Sequence, residues 1–175
     1  MNPRYSENLR RLYGLAKVGE KYSLDGPRTL IDELDNPLTH YDSILVGGTN
    51  GKGSTSHILA RLLMSSGLKV GLFTSPHLVS YRERIQINAQ CISESDVCRL
   101  IEQVIPISEV QGHSFFETTW AMAAEYFRTQ QVDIVVWEVG LGGRLDATNV
   151  CEPVGSIITN VALDHTAILG DTLRE

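Results

Sequence analysis

Disulfide frameworks, membrane spans and basic tracts are all missing from this 175-residue sequence. Its three cysteines, Cys91, Cys98 and Cys151, are odd in number and form no Cys-x-x-Cys pair. That excludes a disulfide scaffold and argues against a metal knuckle. No stretch approaches the roughly 20 apolar residues that cross a bilayer, and Met1-Asn2-Pro3-Arg4-Tyr5 has no apolar signal core. The expected location is the reducing cytoplasm, with no membrane partner. Positive charge is in deficit, with 15 Lys and Arg against 21 Asp and Glu and a net charge of −6, so a general nucleic-acid binder is excluded. Internal repeats and low-complexity tracts are also absent. What remains, 42% hydrophobic and 21% charged residues, is the ordinary composition of one globular domain.

Hydrophobic periodicity divides the chain into alternating helices and strands. Ser6 to Val18 carries Leu9, Leu12, Tyr13 and Leu15 at helical spacing, and Pro27 to Leu34 reads as a short helix with proline near its start. Gly19 to Gly26 between them is a polar loop. Ser43 to Val46 is a strand, followed by a helix to about Ser66, with Gly67 suited to end it, and a strand Lys69 to Phe73. This βαβ unit predicts parallel pairing of its two strands with a right-handed crossover. Arg84 to Asn88 alternates like a short strand, and Ser93 to Val104 and Phe116 to Gln130 are helices. Asp133 to Val139 is a nearly unbroken apolar strand, as expected where helices cover both sheet faces, and Gly155 to Asn160 is one more. The alternation predicts an α/β fold with a mainly parallel, doubly wound sheet, whose ligands gather at the C-terminal strand ends.

The polar motifs fall at those ends. Gly48-Thr49-Asn50-Gly51-Lys52-Gly53-Ser54 joins a strand to a helix start, the arrangement that cradles nucleotide phosphates: glycines let backbone N–H groups close on the oxygens, the helix presents its positive end, and Lys52 adds a full charge. The loop departs from the usual Walker pattern twice, with Val46 where glycine is expected and Gly53 where serine or threonine is expected. Ser54 or Thr55 can offer a hydroxyl to phosphate or a magnesium ion.

Glu138 ends an apolar run at the position where P-loop proteins place the acid that holds magnesium. Hard oxygen ligands suit that ion, so Glu138, the Ser75 hydroxyl and His165 are candidates to share it opposite Lys52. Spacing by itself promotes neither Ser75, a turn serine before Pro76, nor His165, a single histidine after a strand.

Taken together, Gly48 to Ser54, Thr74-Ser75-Pro76-His77-Leu78, Arg82-Glu83-Arg84-Ile85, Glu138 to Asn149 and Ala162-Leu163-Asp164-His165 resemble folylpolyglutamate synthase and bifunctional dihydrofolate synthase of the Mur ligase superfamily. The resemblance runs from about Leu15 to the end, and the family's own loop has glycine after the lysine. It implies an ATP-dependent ligase that phosphorylates the carboxylate of dihydropteroate or a folate and joins L-glutamate to it. It implies that Thr49, Asn50, Gly51, Lys52, Gly53 and Ser54 hold ATP, that Ser75, Glu138 and His165 hold Mg2+, and that Lys52, Glu138 and His165 serve catalysis. Ser114, Phe115, Phe116 and Glu117, with Leu145, Asp146 and Ala147, resemble the pterin contacts; aromatic faces and a carboxylate suit a flat aminopyrimidine ring. Phe115 and Phe116 also begin an amphipathic helix and fit a core reading. Ser23, Leu24 and Asp25 match a pterin-covering loop only loosely. Ser75 to Arg84 resembles the family's mobile loop, where His77, Arg82 and Arg84 can meet an anionic substrate, although a solvated charged loop reads equally well.

Family members continue past this length with a carbamylated lysine and a C-terminal Rossmann-like domain. The resemblance therefore implies an incomplete ATP-binding domain, with an open sheet edge, inactive alone and monomeric when full length. The competing readings are a peptidoglycan-type Mur ligase, a P-loop kinase or ATPase, and a non-enzymatic nucleotide-binding remnant.

Overall fold

The computed structural model describes residues 2–15 and 23–173. Helices α1 (Pro3–Tyr13) and α2 (Asp25–Asp32) precede strand β1 (Asp42–Gly47), helix α3 (Lys52–Ser65) and strand β2 (Val70–Phe73). A 3-10 turn Tyr81–Arg84 leads into the short strands β3 (Ile85–Ile87) and β4 (Gln90–Cys91), then helices α4 (Glu94–Gln111) and α5 (Phe115–Thr129). Strand β5 (Ile134–Glu138), a 3-10 turn Ala147–Val150, strand β6 (Gly155–Ile158) and the short helix α6 (Thr166–Leu169) complete the order. Residues 16–18 of the expected first helix and 19–22 of the polar loop lie outside the described residues.

The six strands form one sheet in the order β4-β3-β2-β5-β1-β6. Its three parallel pairings join β2 to β5, β5 to β1 and β1 to β6, while β3 and β4 add an antiparallel edge beyond β2. The expected direct pairing of β1 with β2 does not occur, because β5 stands between them and pairs with both. The physical reason is burial. All five residues of β5 are buried, so the most apolar strand takes the place with a neighbour on each side and helices over each face.

Trp137 shows how that strand organises the core. Its ring is fully buried, with Phe127 at 5.5 Å, Phe73 at 5.6 Å and Trp120 at 6.3 Å between ring centroids. Taking an aromatic side chain of this size out of water is worth about 5 kcal/mol before entropy is counted. Its Nε1 donates to Ser43 Oγ at 3.1 Å, which gives the buried serine of β1 a partner. Helices α1, α2, α4 and α5 cover this face. The opposite face packs Val46, Val70, Leu72, Ile134 and Val136 against Ala60 of α3.

Helix α4 runs seven residues beyond its expected end at Val104 and contains Pro106. Buried Ile105 and Ser108 keep that stretch against the core, and Gly112, at φ 76°, ends it with its N–H donating to Ser108 O at 2.8 Å. Tertiary burial here outweighs the proline penalty.

Candidate functional site

Parallel register sets the site. Val46 pairs with Glu138 and Phe73 with Trp137, so β1, β5 and β2 end together and their following loops meet. A cavity of about 740 Å³ opens there, bordered by Gly48, Thr49, Lys52, Ser75 and Arg84, by Ser114 to Glu117, and by the segments Gly140 to Ala147 and Asn160 to His165.

The glycine loop forms one wall. Gly48 has φ 125° and Gly51 has φ 81°, backbone that favours glycine. Helix α3 begins at Lys52 with no side-chain cap, so its first N–H groups remain available to oxygen ligands. Lys52 Nζ donates to Gly48 O at 2.7 Å and Thr49 O at 3.3 Å, at the mouth of the loop. Asn50, Gly51 and Ser54 are exposed at the rim. Sequence reasoning did not foresee the brace behind them. Thr49 N–H donates to Asn160 O, Asn50 N–H to Asn160 Oδ1 at 2.9 Å, and Thr159 Oγ1 donates to Asn50 O at 2.7 Å. The signal was available: Thr159-Asn160 follows β6, the neighbour of β1 in the sheet.

Glu138 is 5% exposed and its Oε2 accepts from Ser75 N–H at 3.0 Å. Burial pushes its carboxyl above the usual range, while the Ser75 N–H, Lys52, His57 and Arg84 pull it back. A Cβ on Gly53 would lie 3.3 Å from Glu138 Oε1, so the helix start and the acid touch. The structure thus brings Glu138, Ser75 and Gly53 together directly. His165 borders the same cavity but is exposed, with φ 48°, and its Nε2 lies 3.9 Å from Asp164 Oδ2. A buried carboxylate with one oxygen accepting from Ser75 N–H, on a residue that also carries a hydroxyl, is chemistry that suits Mg2+, an ion that takes hard oxygen ligands.

The opposite wall is aromatic. Phe115 stacks on Tyr13 with ring centroids 5.3 Å apart, and Phe116 meets Phe73 edge-on at 5.9 Å. Both are half-buried and border the cavity, so they are core on one side and wall on the other. Ser114 and Glu117 have a further role that the sequence signature Ser-x-x-Glu announces. Ser114 Oγ accepts from Glu117 N–H at 3.2 Å and Glu117 Oε2 accepts from Ser114 N–H at 2.7 Å, a reciprocal cap on α5.

Asp146 is also engaged within the chain. Oδ2 accepts from Gly140 N–H at 3.1 Å and Leu141 N–H at 2.9 Å; Oδ1 accepts from Thr148 N–H at 3.0 Å and its hydroxyl at 2.6 Å. Four donors fill both oxygens. The carboxylate folds the 140–148 loop, leaving Leu145, Ala147 and the loop backbone to face the cavity. Ser23 borders the cavity too, and its hydroxyl donates to Asp25 Oδ2 at 2.8 Å.

No protein-family model matches the chain. Among curated proteins it is 39% identical over 176 residues to the probable bifunctional folylpolyglutamate synthase/dihydropteroate synthase of Haloferax volcanii, covering 98% of this chain and 21% of that protein. It is 37% identical over 178 residues to the dihydrofolate synthase/folylpolyglutamate synthase of Bacillus subtilis, covering 98% of this chain and 41% of that protein. The chain thus spans between about a fifth and two fifths of the length of these relatives. A solved FPGS complex with AMPPCP and folate superposes with a TM-score of 0.91 at 38% identity, over 97% of this chain and 43% of that one. E. coli FolC in complex with DHPP and ADP gives 0.86 at 36% identity, over 97% and 41%. Among the described residues no helix is long and apolar enough to cross a membrane.

Proposed function

The chain belongs to the folylpolyglutamate synthase/dihydrofolate synthase family, and on that footing we propose that it carries the ATP-binding part of a ligase that joins L-glutamate to dihydropteroate or a folate. The observation that carries this reading is the single cavity shared by the glycine loop, the Ser75–Glu138 pair and the Phe115–Phe116 wall. A phosphate site and a flat-ring site on one cavity suit a reaction between ATP and an aromatic carboxylic acid.

In that reaction a carboxylate oxygen of the substrate attacks the γ-phosphorus of ATP. The bond from that phosphorus to the β–γ bridging oxygen breaks, ADP leaves, and an acyl phosphate forms. The amine of glutamate then attacks the acyl carbon; phosphate departs with the C–O bonding pair, and the ammonium formed loses a proton. Lys52 and the N–H groups at the start of α3 neutralise charge on the phosphates. Residues Thr49 to Ser54 shape the nucleotide loop, Asn160 and Thr159 fix it, and Phe115 and Phe116 hold the ring. Ser75, Glu138 and His165 would hold Mg2+, which when bound supplies charge neutralisation on the transferring phosphoryl group.

The relatives run to more than twice this length, so the reaction is proposed for a polypeptide of that extent, cytoplasmic and monomeric. The 175 residues alone are expected to give no turnover. The test uses the full-length ligase with ATP, glutamate and dihydropteroate labelled with 18O in its carboxylate. One labelled oxygen should appear in the released phosphate for each amide formed. Phosphate release without label, or without any need for glutamate, would refute the acyl phosphate and favour a kinase or ATPase.

A further inference from the structure

Arg84 is a buried cation that forms no ion pair among the described residues. It closes the turn Tyr81–Arg84 immediately before β3, and only 8% of it is exposed. Its Nε donates to His77 Nδ1 at 2.8 Å, and its Cζ stands 5.2 Å from the centroid of Phe115. Among the described residues none of the ion pairs includes it. The Glu138 carboxylate acts on it only from beyond ion-pair distance, so burying the guanidinium stays costly unless a directly paired anion supplies negative charge. Arg84 borders the cavity. Held at Nε by a histidine and against an aromatic face, it is fixed in direction, and among the described residues its terminal nitrogens make no hydrogen bond, which suits a planar, two-oxygen anion.

Which anion follows from the sheet. Arg84 precedes Ile85, which pairs with Phe73 at the end of β2, and Thr74 N–H donates to Arg84 O at 3.0 Å. The strand order puts β2 and β5 between β3 and β1, so the Arg84 backbone is roughly 14 Å from the glycine loop at ordinary strand spacing. Phosphates seated on that loop and on Lys52 are at the far side of Glu138. What must lie on the near side, beside Phe115, is the other reactant. We infer that Arg84 grips the carboxylate of the pteroyl substrate and aims one of its oxygens across the cavity at the γ-phosphate. The inference rests on the ligase reading above and adds to it the residue that positions the nucleophile.

Calorimetric titration of the full-length ligase tests it, with dihydropteroate and with the same molecule bearing a primary carboxamide in place of the carboxylate. Arg84→Gln should weaken dihydropteroate by about 10- to 100-fold, the loss expected for one buried charged pair. The same change should leave carboxamide binding and the KM for ATP within about twofold. Arg84→Met, which keeps the apolar stem against Phe115, should behave like Arg84→Gln, and Arg84→Lys should recover part of the loss. Equal weakening of both ligands by Arg84→Met would make Arg84 a prop for Phe115 and overturn the inference, as would unchanged dihydropteroate binding. If the wild-type enzyme binds neither pteroyl compound, the ligase reading itself fails, and the Arg84 assignment falls with it.

Discussion

Replacing Asp146 by asparagine should unfold the loop that shapes the cavity before it disturbs any substrate contact. The substitution keeps the shape of the side chain and exchanges one acceptor oxygen for a donor NH2. In the structure the residue is 7% exposed, and its two oxygens accept four hydrogen bonds, from Gly140, Leu141 and twice from Thr148. If the new NH2 replaces Oδ2 it faces two backbone N–H groups that cannot turn away. If it replaces Oδ1 it faces Thr148 N–H, while the Thr148 hydroxyl can rotate to accept; this is the cheaper orientation. The remaining cost is one buried N–H left unpaired, about 1–3 kcal/mol, plus the weakening of two charge-assisted bonds to neutral ones. Burial pushes the Asp146 carboxyl up, so losing the charge returns part of this. The net expectation is about 3 kcal/mol, a large share of a domain's stability. In urea, with a slope of about 2 kcal/mol per molar, the midpoint should fall by about 1.5 M at unchanged slope. A midpoint within about 0.3 M of wild type, together with weakened dihydropteroate binding, would refute the reasoning: the carboxylate would then serve the substrate and not the loop.

Glu138→Gln should lower turnover of the full-length ligase by at least about 100-fold with no fall in the urea midpoint, because burial already works against the charge; full activity would remove Glu138 from the site. Gly51→Ala meets open space at φ 81° and should cost about 1–2 kcal/mol. Gly48→Ala, at φ 125° with its Cβ 2.2 Å from Thr159 Oγ1 and 2.8 Å from Asn160 O, should cost at least about 3 kcal/mol; equal costs in denaturation would show that β6 does not brace the loop. Gly53→Ala should raise helix stability by up to about 1 kcal/mol while cutting kcat, since its Cβ meets the Glu138 carboxylate at 3.3 Å; unchanged kcat would count against that contact. Burial holds the His113 imidazole below its ordinary range, with Glu117 pulling the other way. The unfolded chain therefore takes the proton first, so stability should fall with acid below about pH 6.5 by at most about 1.4 kcal/mol per pH unit from this group. His113→Gln should flatten that part of the curve between pH 7 and 5.5, and an unaltered slope would place the effect elsewhere.

Fold class was legible because helices and strands alternate with different periods, and the strand ends carried the polar motifs. Strand order was not, since nothing local in Val70 to Phe73 says that a strand some sixty residues later will separate it from β1. The extent of α4 was misjudged at Pro106 for a similar reason: burial of Ile105 and Ser108 is a tertiary fact. That the glycine loop, Ser75 and Glu138 would meet was readable from their positions at neighbouring strand ends. The cap that Ser114 and Glu117 form on α5 was written in their spacing. The engagement of Asp146 was not, because its donors at Gly140 and Leu141 come from a loop whose path only the folded chain reveals. Arg84 lay in a segment that read equally as a solvated charged loop, and only its burial against Phe115 separates the two.

The two departures of the glycine loop from the Walker pattern have structural causes. Val46 is fully exposed to nothing but its own core: it is 0% solvent-accessible and packs with Val70, Leu72, Ile134 and Val136 under α3. A glycine there would leave a void in that layer. Val46 also pairs with Glu138, so the acid of β5 ends level with the loop and beside the first turn of α3. Any side chain at position 53 must then share space with Glu138, whose Oε1 and Oε2 would stand 3.3 and 3.6 Å from a Cβ there. A serine or threonine, the usual source of a hydroxyl in such loops, would crowd the carboxylate it is meant to assist. The neighbouring strand offers a serine instead: Ser75 follows β2, and its N–H donates to Glu138 Oε2. Glycine at 53 and serine at 75 are thus two halves of one arrangement, in which the acid sits against the helix start and accepts the N–H of the residue that follows the neighbouring strand.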